Sequence, residues 1–289
     1  MLNNIKSTYI LDKIFGNLKK RKELKLIKYN KILTKKLNIK KEDFERFKLF
    51  REMNQKFILH VKDMDIKELN LEGKALGNKI LDYLKKIEFK ELKELNLYYT
   101  QISDIKALEN AKFEKLEKLN LSDNKISDIN VLEKVDLKEL KELKLSINQI
   151  SDIKVFEKVN FEKLEILNLN YNNIFDINVL EKVNFKELKE LSLSYNKISD
   201  ITVLERVKLE KLEILYLNAN QISDINVLEK ANFNELKKLY LSWNQISDIK
   251  VLERVKFEKL KILYLRDNKI PENEPIISKL KSKIYRFWV

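Results

Sequence analysis

The chain reads as an α/β solenoid, with a curved parallel β-sheet as its concave wall and short helices or 3₁₀ turns as its convex wall. Three observations predict this class. Leucine recurs at Leu92, Leu116, Leu140, Leu164, Leu188, Leu212, Leu236 and Leu260, a period of 24 residues without insertion. Self-similarity at such a period marks stacked repeats. Each copy continues as in Leu188, Leu191 and Leu193, and the final Leu-x-Leu alternation is that of a strand with one buried face. The second half of each copy, as in Ile201, Leu204 and Val207, spaces apolar residues at intervals of three, which suits a short helix or 3₁₀ turn. One such turn cannot bury its leucines alone, but stacked neighbours can. Parallel strands about 4.8 Å apart would give eight copies a sheet roughly 35–40 Å long.

Two polar columns run through the repeats. Asparagine stands at Asn124, Asn148, Asn172, Asn196, Asn220, Asn244 and Asn268, with Thr100 in the first copy. Aspartate stands at Asp104, Asp128, Asp152, Asp176, Asp200, Asp224 and Asp248. The unit is LxxLxLxxNxISDIxVLExVxFxx, which resembles the leucine-rich repeat family, and its NxIxDI portion is most similar to the internalin-type subgroup. It differs in being two residues longer and in lacking proline after Asp-Ile. The resemblance covers roughly two-thirds of the chain and implies a protein-binding scaffold. Repeated amides and carboxylates could hold metal, but a metal site needs one or two copies. Their presence throughout points to asparagines that satisfy backbone groups at a corner, and to Ser199 or Asp200 capping the outer turn.

The ends differ from the array. Residues 1–65 are helical in pattern and form an N-terminal cap or adaptor; residues 66–275 hold one irregular and eight regular repeats; residues 276–289 form a C-terminal cap. The irregular turn carries Ile66, Leu69 and Leu71, set 26 residues ahead of its successor, with Gly73 and Gly77. The segment 43–60 reads as another helix or two. After Pro271 and Pro275, the residues Ile276, Ile277, Leu280, Ile284, Phe287 and Trp288 are expected to close the core. At the amino terminus Ile10, Leu11, Ile14, Phe15 and Leu18, with Glu23 and Leu24, resemble a divergent F-box without its Leu-Pro opening and closing Cys and Trp. That resemblance implies docking on a Skp1-like adaptor and the substrate-recognition role in a ubiquitin ligase. A polar-faced cap over the first turn needs the same helices.

The net charge of +13 sits at the ends. Residues 1–65 hold 18 Lys/Arg against 8 Asp/Glu, residues 276–289 hold 4 against none, and the array between carries −1. Phosphate attraction would therefore come from the basic ends. Solvated, lysine-rich helices account for the same charge, so nucleic acid is not the expected partner. Catalytic chemistry is sparse. Cysteine is absent, His60 is the one histidine, and Gly16, Gly73 and Gly77 form no phosphate-cradling loop. No enzyme activity, cofactor or metal is expected. With no apolar run near eighteen residues, no secretory leader pattern and no cysteine, a cytoplasmic location without a membrane span is expected.

Recognition is expected where the repeat varies. Residues flanking the inward leucines point away from the core. The column between the leucines reads Asn96, Asn120, Lys144, Asn168, Ser192, Tyr216, Tyr240 and Tyr264, and the column two past the second leucine includes Tyr171, Tyr195 and Trp243. Tyr and Trp are enriched at interface hot spots. Tyr171, Tyr195, Tyr216, Tyr240, Trp243 and Tyr264 are therefore the candidate contacts for a partner protein on the concave face. Ser192, beside Leu193, is expected to be exposed.

Overall fold

A computed structural model describes residues 41–61 and 64–289, so the F-box-like stretch from Ile10 to Leu18 lies outside the described residues. The strands are β1 (Glu68–Asn70), β2 (Glu94–Asn96), β3 (Lys118–Asn120), β4 (Glu142–Lys144), β5 (Ile166–Asn168), β6 (Glu190–Ser192), β7 (Ile214–Tyr216), β8 (Lys238–Tyr240), β9 (Ile262–Tyr264) and β10 (Arg286–Trp288). They form one open sheet in sequence order, every neighbouring pair parallel. Register follows the period, so Leu191 lies opposite Leu215 and Leu215 opposite Leu239. Seven 3₁₀ helices, from Lys106–Asn110 to Lys250–Glu253, make the other wall among the described residues. The helices α1 (Lys41–Lys56), α2 (Lys79–Ile87) and α3 (Ile276–Lys283) flank the regular array.

Strands are short because the chain turns three residues after each of them. The turn residue is left-handed in every regular copy, including Tyr195 at φ 57° and Trp243 at φ 61°, although none of these residues is glycine. The asparagine that follows holds the corner. Asn196 Nδ2 donates to the carbonyls of Leu169 and Leu193 at 3.0 Å each, and its Oδ1 accepts from the Ile174 amide at 3.0 Å. Each buried amide thus joins two successive turns and meets the requirement that buried polar groups be paired. Thr100 serves the first copy by donating to the Leu97 carbonyl at 2.7 Å. Of the two expected caps it is Asp200 that acts, accepting the Thr202 amide at 2.8 Å. That bond lowers the pKa of Asp200, and it recurs in copies from Asp104 to Asp248.

The leucines, isoleucines and phenylalanines inside this frame form one continuous core from Phe47 to Ile284. Its first turn has an α-helix where later turns have 3₁₀, accommodated by two extra residues and by Gly73 and Gly77 at φ 71° and 57°. α2 buries Ile80, Leu81, Leu84 and Ile87. α1 lies against it, with the Phe50 ring edge-on to Phe89 at 6.3 Å. Arg46 donates to the Ile87 and Glu88 carbonyls at 2.5 and 2.6 Å, satisfying acceptors that a helix end leaves open.

Two expectations fail. Ser192 is only 1% exposed, because it lies in register between Asn168 and Tyr216, whose larger side chains cover it. In the tail, Ile276, Ile277, Leu280 and Ile284 are buried and Phe287 packs partly against the core. Trp288 does not close the core. β10 continues the array with Phe287 opposite Leu263 and Trp288 opposite Tyr264, so strand alternation turns Trp288 outward, 53% exposed.

Candidate interaction surface

The open face of the sheet is written by the residues on either side of the inward leucines. Between β1 and β4 these are Glu68, Asn70, Glu94, Asn96, Lys118, Asn120, Glu142 and Lys144. Lys118 pairs with Glu94 at 2.7 Å, and Lys144 pairs with Glu142. Between β7 and β10 the same columns carry Ile214, Lys238, Ile262 and Arg286, then Tyr216, Tyr240, Tyr264 and Trp288. One face therefore passes from acidic and amide-rich to aromatic and basic along a single axis.

The six aromatics singled out in the sequence fall into two rows. Tyr216 and Tyr240 stack at 4.5 Å with an interplanar angle of 13°, and Tyr264 meets Tyr240 edge-on at 5.1 Å. All three are half-buried, and loss of water pushes the Tyr216 phenol up to about 12. Tyr171, Tyr195 and Trp243 occupy the left-handed corner instead. Tyr171 and Tyr195 stack at 4.0 Å, while Trp243 stands 62% exposed, separated from them by Ala219. Trp288 completes the first row, and it was missed because the tail lacks the leucine motif. Phe175, 63% exposed where other copies have serine, and Ile147 are further apolar departures near the second row.

Beside the sheet runs a ridge whose charge alternates in two columns. One reads Glu91, Lys115, Glu139, Lys163, Glu187, Lys211, Glu235, Lys259; the other reads Lys93, Glu117, Lys141, Glu165, Lys189, Glu213, Lys237, Lys261. Cross-repeat ion pairs follow, such as Lys163–Glu139 at 2.6 Å and Lys189–Glu165 at 2.7 Å. Glu117 is clasped by both Lys141 and Lys93, which holds its carboxyl at about 2. The alternation breaks at its last step, where Lys261 follows Lys237.

Leucine-rich repeat models match residues 90–134, 186–230 and 235–249. The array is a leucine-rich-repeat solenoid. Among solved structures, this solenoid is similar to an internalin, InlF, from Listeria monocytogenes, with 31% identity and a TM-score of 0.59. That alignment covers 72% of this chain and spans 56% of the internalin's length. Internalin C2 of the same organism aligns with 27% identity and a TM-score of 0.60, over 75% of this chain and 92% of that one. A plant peptide hormone receptor, RGFR1, solved in complex with RGF2, shares the fold at 22% identity and a TM-score of 0.51, over 65% of this chain and 30% of the receptor. Comparison with curated proteins returns no match. No helix among the described residues is long and apolar enough to cross a membrane.

Proposed function

We propose that this solenoid is a non-enzymatic scaffold that binds a partner protein on the open, concave face of its sheet. The contacts are Tyr171, Tyr195, Tyr216, Tyr240, Trp243 and Tyr264, joined by Trp288. One observation carries the reading: aromatics are concentrated on β7 to β10, on a face that no other part of the chain covers among the described residues and where Trp243 and Trp288 stand exposed. The receptor that shares the fold was solved with a peptide partner, which supports recognition as the use of such an array. The absence of cysteine supports a reducing compartment such as the cytoplasm. Affinity capture with the full chain tests the reading, comparing the parent with Trp243→Ala/Trp288→Ala. A protein retained by the parent and lost from the variant, with unchanged melting, is the expected result. The same retained set from both proteins would overturn it.

A further inference from the structure

Resting on that reading, we infer that the β7–β10 end of the open face receives an acidic segment of the partner protein, its carboxylates held by Lys238, Arg266 and Arg286. Lys238 and Arg286 lie in one column, two strands apart, with Ile262 between them. Their separation is therefore about 10 Å, two strand spacings. Arg266 stands two residues beyond Tyr264, on the same side of its strand as the chain leaves β9. The three cations thus surround Tyr240 and Tyr264.

None of the three has a carboxylate partner among the described residues, whereas Lys118 and Lys144 on the same face are both paired. The columns from β7 to β10 contain no acid. Glu190 stands one strand earlier on β6, and Asp267 at the corner after Arg266. At the opposite end Glu68, Glu72, Glu94 and Glu142 leave the face acidic, so an acidic ligand is drawn to one end and repelled from the other. Guanidinium groups match carboxylates as planar forks, and the tyrosine rings between them supply apolar contact. Nucleic acid fits less well. Base binding needs open ring faces, and Tyr216 and Tyr240 each give one face to the other.

The chain's two tryptophans, Trp243 and Trp288, both border this patch, so their fluorescence reports on it. The probe is a random glutamate–tyrosine copolymer added to the full chain at low salt. It should shift tryptophan emission to the blue and cut acrylamide quenching about twofold, with apparent affinity falling as salt screens the charges. Lys238→Glu/Arg266→Glu/Arg286→Glu should weaken binding at least about tenfold. Lys154→Glu/Lys208→Glu/Lys256→Glu, exposed residues on the other wall with the same change in charge, should stay within about twofold of the parent. Tyr240→Ala, which keeps both tryptophans, separates the two readings. If it weakens binding and the first charge variant does not, the docking face stands and its acidic ligand is refuted. If neither weakens it, both fail. Stronger protection by a twenty-residue oligothymidylate than by the copolymer, or no protection by the copolymer, would also refute an acidic protein ligand.

Discussion

Tyr195 and Asn196 are chain neighbours, yet they belong to regions under opposite constraints. The asparagine is one of seven at the corner, buried, with each polar atom committed to a backbone group of its own or the preceding turn. The tyrosine column beside it holds Asp123, Ile147, Ala219 and Trp243 in other copies, all in the same left-handed conformation. Backbone shape is constant in both columns; what differs is whether the side chain must satisfy a buried neighbour. A repeat stays identical where adjacent turns need each other and is free to vary where water or a partner is the neighbour.

Truncation inside the frame should produce the largest losses. Leu193, 1% exposed between β6 and its corner, should cost about 2–5 kcal/mol as Leu193→Ala by denaturant unfolding. Asn196→Ala should follow at about 1–3 kcal/mol, since it strands the Ile174 amide away from water, whereas the Leu169 and Leu193 carbonyls keep the Asn172 and Asn220 side-chain amides as donors. A loss below about 0.5 kcal/mol at Asn196 would show that the corner is held by the backbone alone, and would erase the distinction between the two regions.

The charged ridge lies between these extremes. Glu117 has its pKa lowered in the folded chain, chiefly by its bonds with Lys141 and Lys93. Its contribution is therefore complete above the unfolded carboxyl value and is lost as pH falls toward about 2. Glu117→Gln should flatten that part of the acid-unfolding profile, with an effect at neutral pH of no more than about 1 kcal/mol, as exposed pairs give. An unchanged acid profile would mean the ridge sets register without adding stability.

Much of this frame was legible in the chain itself. The period fixed which residues pair across strands, the Leu-x-Leu alternation identified the inward face, and the asparagine and aspartate columns announced their structural roles by recurring in every copy. What escaped depended on neighbours distant in sequence. Ser192 is covered by residues 24 positions before and after it. β10 has one inward residue, Phe287, and no leucine pattern, so its pairing with β9 rests on the register inherited from the array. The left-handed corner is occupied by tyrosine, tryptophan and isoleucine, residues that avoid this conformation when free. There the hydrogen bonds of adjacent turns impose it. The six candidate contacts were visible as aromatics, but their division into a half-buried stack and an exposed corner row required the structure.

That division separates two residues that otherwise look equivalent. Tyr240 is half-buried between Tyr216 and Tyr264, so Tyr240→Ala should lower stability by about 1 kcal/mol through lost ring contacts, apart from any effect on binding. Trp243 is exposed, makes no ring contact among the described residues, and sits at a corner whose φ of 61° alanine adopts no more easily. Trp243→Ala removes contact area without opening a cavity, and its melting point should match the parent within about 0.5 kcal/mol of stability. If the corner row contributes a hot spot, partner affinity should fall by about 2 kcal/mol, roughly thirtyfold. Calorimetric melting and a titration with the captured partner measure the two quantities independently. A lowered melting point with unchanged affinity would make the corner row a structural device, and recognition would then rest on the sheet row of Tyr216, Tyr240, Tyr264 and Trp288 alone.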